Sequence, residues 1–225
     1  MPLYFILEIF SFIVPFIFSF EKKLQFYKNL SSIIISISIN AFLFIVWDFF
    51  FIQYNVWWFN KDYLIGIYVF GIPIEEILFF FLIPYSSIFI HYTIQYYLHN
   101  IHLKRFYVLI FLSFNLIIST FIIYNNYEKK YTNLVLFATT IANFIYYRFN
   151  KQLLSSYLIS FIVIIIPFTI VNGILTGGFT SQPIVYYNSL HILNFRIFTI
   201  PIEDFVYCYI LILNPLFIYE KFFKK

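Results

Sequence analysis

Ile72-Pro73-Ile74-Glu75-Glu76 recurs as Ile200-Pro201-Ile202-Glu203-Asp204, each time within a long apolar stretch. The similarity extends upstream, because Trp58-Phe59-Asn60 ends thirteen residues before Pro73 and Tyr186-Tyr187-Asn188 ends thirteen residues before Pro201. One offset of 128 residues (201 − 73) relates all these positions. The sequence therefore indicates an internal duplication in which each copy carries a pair of carboxyl groups.

The composition is typical of an integral membrane protein. Apolar residues make up 62% of the chain, with 34 Phe and 21 Tyr, whereas charged residues make up only 11%. A membrane-spanning helix needs about 20 mostly apolar residues. Such runs occupy residues 3–20, 30–52, 64–90, 105–124, 132–147, 155–175 and 197–219, the fifth being the shortest. The sequence predicts an all-α integral membrane helical bundle of about seven transmembrane helices.

The distribution of Lys and Arg predicts the orientation of these helices, because cytoplasmic loops are enriched in both residues. With the amino terminus outside, the inner segments hold ten basic residues: Lys22, Lys23, Lys28, Lys104, Arg105, Arg148, Lys151, Lys221, Lys224 and Lys225. The outer segments hold four: Lys61, Lys129, Lys130 and Arg196. We expect a multi-pass protein of the cell membrane with a cytoplasmic carboxyl terminus. The first span lacks a preceding basic region, so we expect it to be retained rather than cleaved as a signal peptide.

This topology makes the two copies run the same way through the bilayer. We predict a first three-helix repeat in residues 1–98, a linking helix with its loops in 99–130, and a second three-helix repeat in 131–225. Such parallel repeats differ from the inverted repeats of many transporters. The expected geometry is a pseudo-twofold axis along the membrane normal, with one cavity shared by the duplicated acids.

Carboxyl groups are the main functional candidates. Six of the ten acidic residues fall within the predicted spans: Glu8, Asp48, Glu75, Glu76, Glu203 and Asp204. A charge at the bilayer centre costs at least about 2.5–3.5 kcal/mol, and no Lys or Arg lies deep in a span to offset it. We expect several of these groups to be neutral Brønsted acids. All except Glu8, which equally suits an interhelical contact, are taken as catalytic candidates.

The two motif prolines are expected to bend the helices that carry the acids. A proline within a helix frees the carbonyl four residues earlier, here Val69 and Ile197. Adjacent carboxyls lie about 100° apart around a helix, so one member of each pair should face the cavity and the other a neighbouring helix. The sequence leaves open which member is the acid. From the sequence we expect that replacement of Glu75 or Glu203 by Gln abolishes activity and leaves the protein inserted in the membrane, since Gln cannot donate a proton as an acid does.

Several segments together resemble the membrane-embedded lycopene cyclase domain family. They are Trp47-Asp48, Val56-Trp57-Trp58-Phe59-Asn60, Pro73-Ile74-Glu75-Glu76, Val171-Asn172-Gly173-Ile174-Leu175-Thr176-Gly177, Tyr187-Asn188 and Ile200-Pro201-Ile202-Glu203-Asp204-Phe205. The resemblance covers nearly the whole chain. Within this family, the chain is similar to the fused form of the heterodimeric bacterial lycopene β-cyclase. This resemblance implies a linear carotenoid such as lycopene as substrate, in a membrane lipid environment, and an association with other carotenoid-pathway enzymes.

Aromatic and amide side chains near the acids are the substrate-binding candidates. We select Trp47, Trp58, Phe59, Asn60, Asn172, Tyr187 and Asn188. Ring faces attract cations, although interfacial Trp and Tyr also belong to ordinary aromatic belts. Asp48 and Asn172 occupy corresponding places in the second and sixth spans, where hydrogen bonds between helices are the alternative explanation.

Three functions fit the acids. The first is a lycopene β-cyclase, an intramolecular lyase that protonates a terminal alkene, lets the next alkene attack the cation and then removes a proton. The second is a hydratase in which water traps the same cation, and the third, less favoured, is a proton-coupled transporter. We expect no cofactor and no metal, since no dinucleotide fingerprint or metal-ligand set is present. The net charge of +4 reflects the basic cytoplasmic loops, and we expect no nucleic-acid partner.

Overall fold

A computed structural model of the protein describes residues 2–224, which form seven α-helices and three pairs of short strands. The helices are α1 (Leu3–Phe18), α2 (Leu30–Gln53), α3 (Ile74–Tyr97), α4 (Arg105–Asn125), α5 (Lys130–Phe149), α6 (Lys151–Leu175) and α7 (Ile202–Phe222). The strands are β1 (Trp57–Phe59), β2 (Tyr68–Val69), β3 (Ile72–Pro73), β4 (Val185–Tyr187), β5 (Arg196–Ile197) and β6 (Ile200–Pro201). The predicted all-α membrane bundle is confirmed.

Five of the helices, α2, α3, α4, α6 and α7, are long and apolar enough to cross a membrane. The helix α1 is apolar but shorter, with 16 residues. The helix α5 has sufficient length, but Thr and Asn side chains interrupt its apolar sequence. Five of the seven predicted spans thus have the length and hydropathy of a membrane-crossing helix.

The helices pack as two similar groups. In one group α1 and α2 pack against α3, and in the other α5 and α6 pack against α7. The groups meet where α2 contacts α7, where α3 contacts α6, and where α3 contacts α7. The helix α4 lies at the outside against α5 and α6, and most of its surface is left for lipid.

Side-chain contacts show which ends of the helices meet. Tyr4, near the start of α1, bonds to Glu76 at the start of α3, and Tyr131, near the start of α5, bonds to Asp204 at the start of α7. Asn172, near the end of α6, reaches the same Asp204. The starts of α1, α3, α5 and α7 thus lie at one end of the bundle, which we call the acid end.

The structure repeats its local geometry at the 128-residue offset. The Ile74 amide donates to the Ile67 carbonyl at 2.9 Å, and the Ile202 amide donates to the Phe195 carbonyl at 3.0 Å. The β2–β3 hairpin before α3 has its counterpart in the β5–β6 hairpin before α7. Each helix bearing a pair of acids therefore begins directly after a tight hairpin.

The expected proline bends are wrong. Pro73 and Pro201 do not lie inside helices but precede the first residues of α3 and α7. Val69 and Ile197, whose carbonyls were expected to be free, are paired strand residues in the two hairpins. The apolar runs 64–90 and 197–219 hid these turns because hairpin and helix residues are equally apolar. The left-handed backbone of Phe70, with φ +51°, begins the first turn.

The acids consequently lie in the first turns of their helices rather than in the middle of a span. Glu75 and Glu76 are the second and third residues of α3, and Glu203 and Asp204 hold the same positions in α7. The positive end of a helix dipole favours negative charge at such positions. The two helix starts can therefore stabilise negative charge on these carboxyls, a role for which no Lys or Arg lies deep in a span.

Candidate active site

A short ribbon made by both halves crosses the acid end. The strands β1 and β4 pair antiparallel, with Trp57 opposite Tyr187, Trp58 opposite Tyr186 and Phe59 opposite Val185. The central pair, Trp58 and Tyr186, is related by the 128-residue offset. A local pseudo-twofold axis therefore passes through the ribbon, as the duplication predicts for an axis between the two halves.

The ribbon presents alternate side chains to the acids, as the period of two in a strand requires. Trp57 is buried, and Phe59 and Tyr187 line a cavity beneath the ribbon. Trp58 is 44% exposed and stacks on Tyr186 at the outer surface, with ring centroids 5.6 Å apart. Trp58 is therefore outside the cavity.

Glu76 and Asp204 line the same cavity from opposite halves of the chain. The hydroxyl of Tyr4 donates to Glu76 Oε2 at 2.6 Å. The hydroxyl of Tyr131 donates to Asp204 Oδ1 at 2.8 Å. Each half thus contributes one carboxyl that faces inward and one buried tyrosine that holds it.

Asp204 accepts more hydrogen bonds than Glu76. Besides Tyr131, the Tyr187 hydroxyl donates to its Oδ2 at 2.7 Å and the Asn172 amide donates to the same oxygen at 2.8 Å. Among the described residues, Glu76 accepts a side-chain hydrogen bond only from the Tyr4 hydroxyl. Three donors favour a carboxylate, whereas a single donor leaves the remaining oxygen able to carry a proton.

The other member of each pair serves its own loop. Glu75 Oε1 accepts the backbone N–H of Ile65. Glu203 Oε1 accepts the backbone N–H of Leu193 at 2.7 Å and the Thr132 hydroxyl at 2.6 Å. Both carboxyls are buried, and both fix the loop that leads to the hairpin before their helix. In each pair, one carboxyl thus lines the cavity and the other bonds to the loop before its helix.

Asp48 and Glu8 extend the acid cluster on the side of the first half. The Trp57 indole N–H donates to Asp48 Oδ1 at 2.6 Å, and Asp48 Oδ2 has no partner among the described residues. Glu8 is fully buried, and neither of its oxygens has a partner there. Glu76 lies within electrostatic range of both groups and of Asp204.

The cluster contains no cationic side chain. Within residues 2–224 the single ion pair joins Lys224 and Glu220, at the opposite end of the bundle. The Arg196 guanidinium lies 5.7 Å from the centre of the Tyr187 ring and donates to the Thr199 carbonyl. Burial and mutual repulsion of the four carboxyls disfavour ionisation of all four at once.

The cavity between the acids is small and mainly aromatic. Its volume is about 40 Å³, and its ring-bearing walls include Phe59, Phe79, Phe168 and Tyr207. Typical ligand pockets begin at roughly 300 Å³, so a bulky end group must displace some of these rings to enter. The buried Tyr207 hydroxyl has no partner among the described residues.

Four of the selected substrate-binding residues lie away from this cavity. Besides Trp58, Trp47 packs on Phe44, Phe51 and Tyr207 behind the cavity wall. The Asn60 side chain accepts the Asp62 N–H, and the Asn188 side chain bonds to the Asn55 carbonyl and the Leu190 N–H. Both asparagines shape turns beside the ribbon. Phe59, Asn172 and Tyr187 are the selected residues that line the cavity.

Asp48 and Asn172 do correspond, as the sequence indicates, although their offset is 124 rather than 128. The Val56 amide donates to the Phe51 carbonyl, and the Ile184 amide donates to the Leu175 carbonyl, both at 2.8 Å. The connection after α6 is therefore four residues longer than the connection after α2. Positions in α2 and α6 correspond at 124 because the longer connection absorbs the difference.

Tyr4, Tyr131 and Thr132 are the site residues that sequence reasoning missed. Tyr4 lies 72 residues before Glu76, and Tyr131 lies 73 residues before Asp204. A comparison of the first turns of the first and fifth spans would have revealed this pair. With 21 Tyr in the chain, two of them at nearly equal spacing gave no obvious signal.

A larger cavity is at the other end of the bundle and contains none of the duplicated acids. It measures about 450 Å³ and is lined by polar groups that include His91, Tyr92 and Glu220. Size alone would favour it. The cavity between Glu76 and Asp204 is the better candidate because it combines acids from both repeats with aromatic rings. Within residues 2–224, no cluster of three or more His, Cys, Asp or Glu is arranged to hold a metal ion.

The fold and this site define a membrane-embedded helical bundle that carries an internal acid cluster under an aromatic cover. The family model described as lycopene cyclase matches residues 2–94 and 104–222. The chain therefore belongs to the lycopene cyclase family. The comparison with curated proteins gave no match, and the comparison with solved structures gave none either. Membership indicates an enzyme that acts on a carotenoid.

Proposed function

We propose that the protein is a lycopene β-cyclase that converts linear end groups into β-ionone rings by protonation. The observation that carries this proposal is the meeting of Glu76 and Asp204 in one aromatic cavity with unequal numbers of hydrogen-bond donors. A proton-initiated cyclisation needs an acid, a site for a carbocation and a base. The cavity offers a candidate for each.

Glu76 is the proposed general acid. It transfers its proton to the terminal double bond of the substrate, which leaves a tertiary cation on the neighbouring carbon. The next double bond then attacks this cation, so that a new carbon–carbon bond closes the ring and the positive charge moves to a ring carbon. General acid catalysis of this kind contributes about 10²–10⁴ in rate.

Asp204 is the proposed anion and final base. Its three donors support a carboxylate during the reaction, and that charge stabilises the cation in a site of low dielectric constant. Loss of a proton from the ring cation to Asp204 forms the ring double bond. One proton is gained and one is lost, so the product is an isomer of the substrate and no reductant is needed.

The surrounding rings support the cationic intermediates. Faces of aromatic rings attract cations, with energies of about 0.5–2 kcal/mol depending on desolvation. Phe59, Phe79 and Tyr207 line the cavity, and the β1–β4 ribbon lies above it. A dry cavity favours ring closure over capture of the cation by water, which supports a cyclase over a hydratase.

We also propose that the two repeats, in residues 1–98 and 131–225, build one active site rather than two. Glu76 comes from the first repeat and Asp204 from the second. The acid end carries the four basic residues of the less basic side, which supports a location near the outer face of the cell membrane. Attachment of reporter domains to the two termini would test this orientation.

Expression in a bacterium that accumulates lycopene, followed by chromatography of the pigments, tests the proposed function. We expect carotenes with β-rings and the same mass as lycopene. A product heavier by one water molecule would make the protein a hydratase. Unchanged lycopene in cells whose membranes contain the protein would refute the cyclase proposal.

A further inference from the structure

A second cavity lies between α1, α3 and α6 and adjoins the acid cavity. Its volume is about 80 Å³, and it shares Phe79, Phe168 and Asn172 with the acid cavity. Its wall reaches Ile90 on α3, which is 11 residues beyond Phe79 and hence about 16 Å farther along the helix axis. We call this elongated cavity the α3–α6 groove.

The α3–α6 groove is apolar although serines line it. Ser11 of α1 donates to the carbonyl of Leu7 at 2.7 Å, and Ser86 of α3 donates to the carbonyl of Leu82 at 2.9 Å. These two hydroxyls thus bond to the backbone of their own helix. Ser87 and the Asn172 amide are the other polar groups of the wall, and the Asn172 amide donates to Asp204. No charged side chain lines the groove, so its walls suit a long hydrocarbon.

The corresponding boundary in the other half, between α2 and α7, is filled by aromatic rings. Tyr207 is the counterpart of Phe79, and Phe44 and Trp47 are the counterparts of Phe168 and Val171. The centroids of the Phe44 and Tyr207 rings are 5.0 Å apart, and Trp47 packs on both at 5.7 and 5.6 Å. The indole of Trp47 thus occupies space that the smaller Val171 leaves free.

A hydrogen bond also closes the α2–α7 boundary. The Asn40 amide donates to the Leu211 carbonyl at 3.0 Å. That carbonyl lacks its usual helical partner because Pro215, four residues later, has no N–H. The counterpart of Asn40 at the α3–α6 boundary is Ile164, which cannot make such a bond. The two boundaries therefore differ. The α2–α7 boundary is filled by aromatic rings and closed by a hydrogen bond, whereas the α3–α6 boundary lacks this bond and contains a cavity.

We propose that the α3–α6 groove holds the polyene chain of a linear carotenoid whose end group lies between Glu76 and Asp204. The proposal rests on the proposed function. Phe79, Phe168 and Asn172 line both cavities, so one end of the groove lies next to the acids. Movement of the Phe79 and Phe168 rings would join the two cavities. Because the opposite boundary is closed, the substrate reaches the acids from one side of the bundle, one end group at a time.

Pigment retention tests the groove separately from catalysis. The chain and its variants are purified in mild detergent from cells that accumulate lycopene, and bound carotenoid per protein is measured by absorbance after extraction. Val171→Trp copies the filled boundary and should lower retention about tenfold or more, because overpacking opposes the bound chain. Ile170→Trp adds the same ring to the neighbouring residue, which is 59% exposed on the lipid side, and should retain pigment like the parent.

A second pair of variants covers the case in which Val171→Trp does not fold, as judged by gel filtration. Ser11→Phe narrows the groove from α1, whereas Val14→Phe alters a residue of the same helix that is 55% exposed. We expect loss of pigment only in Ser11→Phe. Retention at the parental level in the folded groove variants would overturn the proposal.

The remaining outcomes separate the groove from the proposed function. A parent that retains lycopene without cyclising it, and loses it in the groove variants, would refute the cyclase and support the groove. Retention by the parent no greater than by an unrelated membrane protein would overturn the groove even if cyclisation occurs. The same holds if the groove variants lose bound phospholipid but not carotenoid, because the occupant would then be a lipid chain.

Discussion

Glu76→Gln should nearly abolish cyclisation without unfolding the protein. Gln has almost the same shape, and its amide oxygen can accept the Tyr4 hydroxyl that now donates to Glu76 at 2.6 Å. It cannot protonate an alkene. Loss of general acid catalysis costs about 10²–10⁴ in rate, which corresponds to about 3–5 kcal/mol of transition-state stabilisation.

The assay is the initial rate of lycopene consumption by the purified protein in liposomes, with carotenes separated by chromatography. Glu75→Gln is the matched control, because it makes the same chemical change at the adjacent residue. The Glu75 carboxyl accepts the Ile65 N–H, and the amide oxygen of Gln can accept it too. A net hydrogen-bond contribution of about 1 kcal/mol limits the loss in this control to roughly fivefold.

Two results would refute the reasoning. One is a Glu76→Gln protein that keeps more than about a tenth of the parental rate, since that is less than a general acid contributes. The other is the reverse pattern, with Glu75→Gln inactive and Glu76→Gln active, which would make Glu75 the general acid. Equal amounts of protein in the membrane fraction show that the variants insert alike.

Three further predictions concern the base, the halves and the proton. Tyr187→Phe removes a donor to Asp204 and should slow turnover by about 10–100-fold, because a hydrogen bond to a charged group contributes about 1.5–3 kcal/mol. The control Tyr186→Phe, on the outer face of the ribbon, should leave the rate unchanged. Equal rates in the two variants would contradict a role for the negative charge of Asp204. Chains of residues 1–104 and 105–225 should be inactive alone and active when co-expressed, because separately inserted helices can associate. Full activity of one fragment alone would show that the chain contains two independent sites. Turnover in heavy water should place deuterium in the new ring, because the added proton comes from an exchangeable carboxyl. Activity should persist with a chelator and without nicotinamide or flavin. A strict need for reduced flavin would disprove the acid–base route.

The sequence predicted the helical bundle and indicated the duplicated acids, but it did not predict where the helices that carry them begin. The offset between Glu76 and Asp204 and the apolar runs depend on residue type and spacing, which a single sequence contains. The hairpin at Phe70 and Gly71 was missed because it interrupts an apolar run without changing its composition. Its turn depends on left-handed backbone angles, which Gly adopts readily and Phe rarely does.

The roles within each pair of acids were not predictable either. Glu75 and Glu76 differ only in which neighbours they meet, and those neighbours come from distant parts of the chain. Tyr4 is 72 residues from Glu76, whereas Ile65 is ten residues from Glu75. The helical repeat indicates that the two carboxyls point apart, but only the packing of α1 against α3 decides which one faces the cavity.

The duplication explains why one site can hold both an acid and a base. A symmetric fold brings equivalent residues of α3 and α7 to a common axis, and identical residues there would have identical surroundings. In this chain Glu76 faces a single tyrosine donor, whereas its counterpart Asp204 has a shorter side chain and three donors. One of these is Asn172, at the position where the first repeat has Asp48, a group that cannot donate when ionised. In the proposed mechanism the repeats thus supply the meeting point, and their differences supply the opposite roles of acid and base.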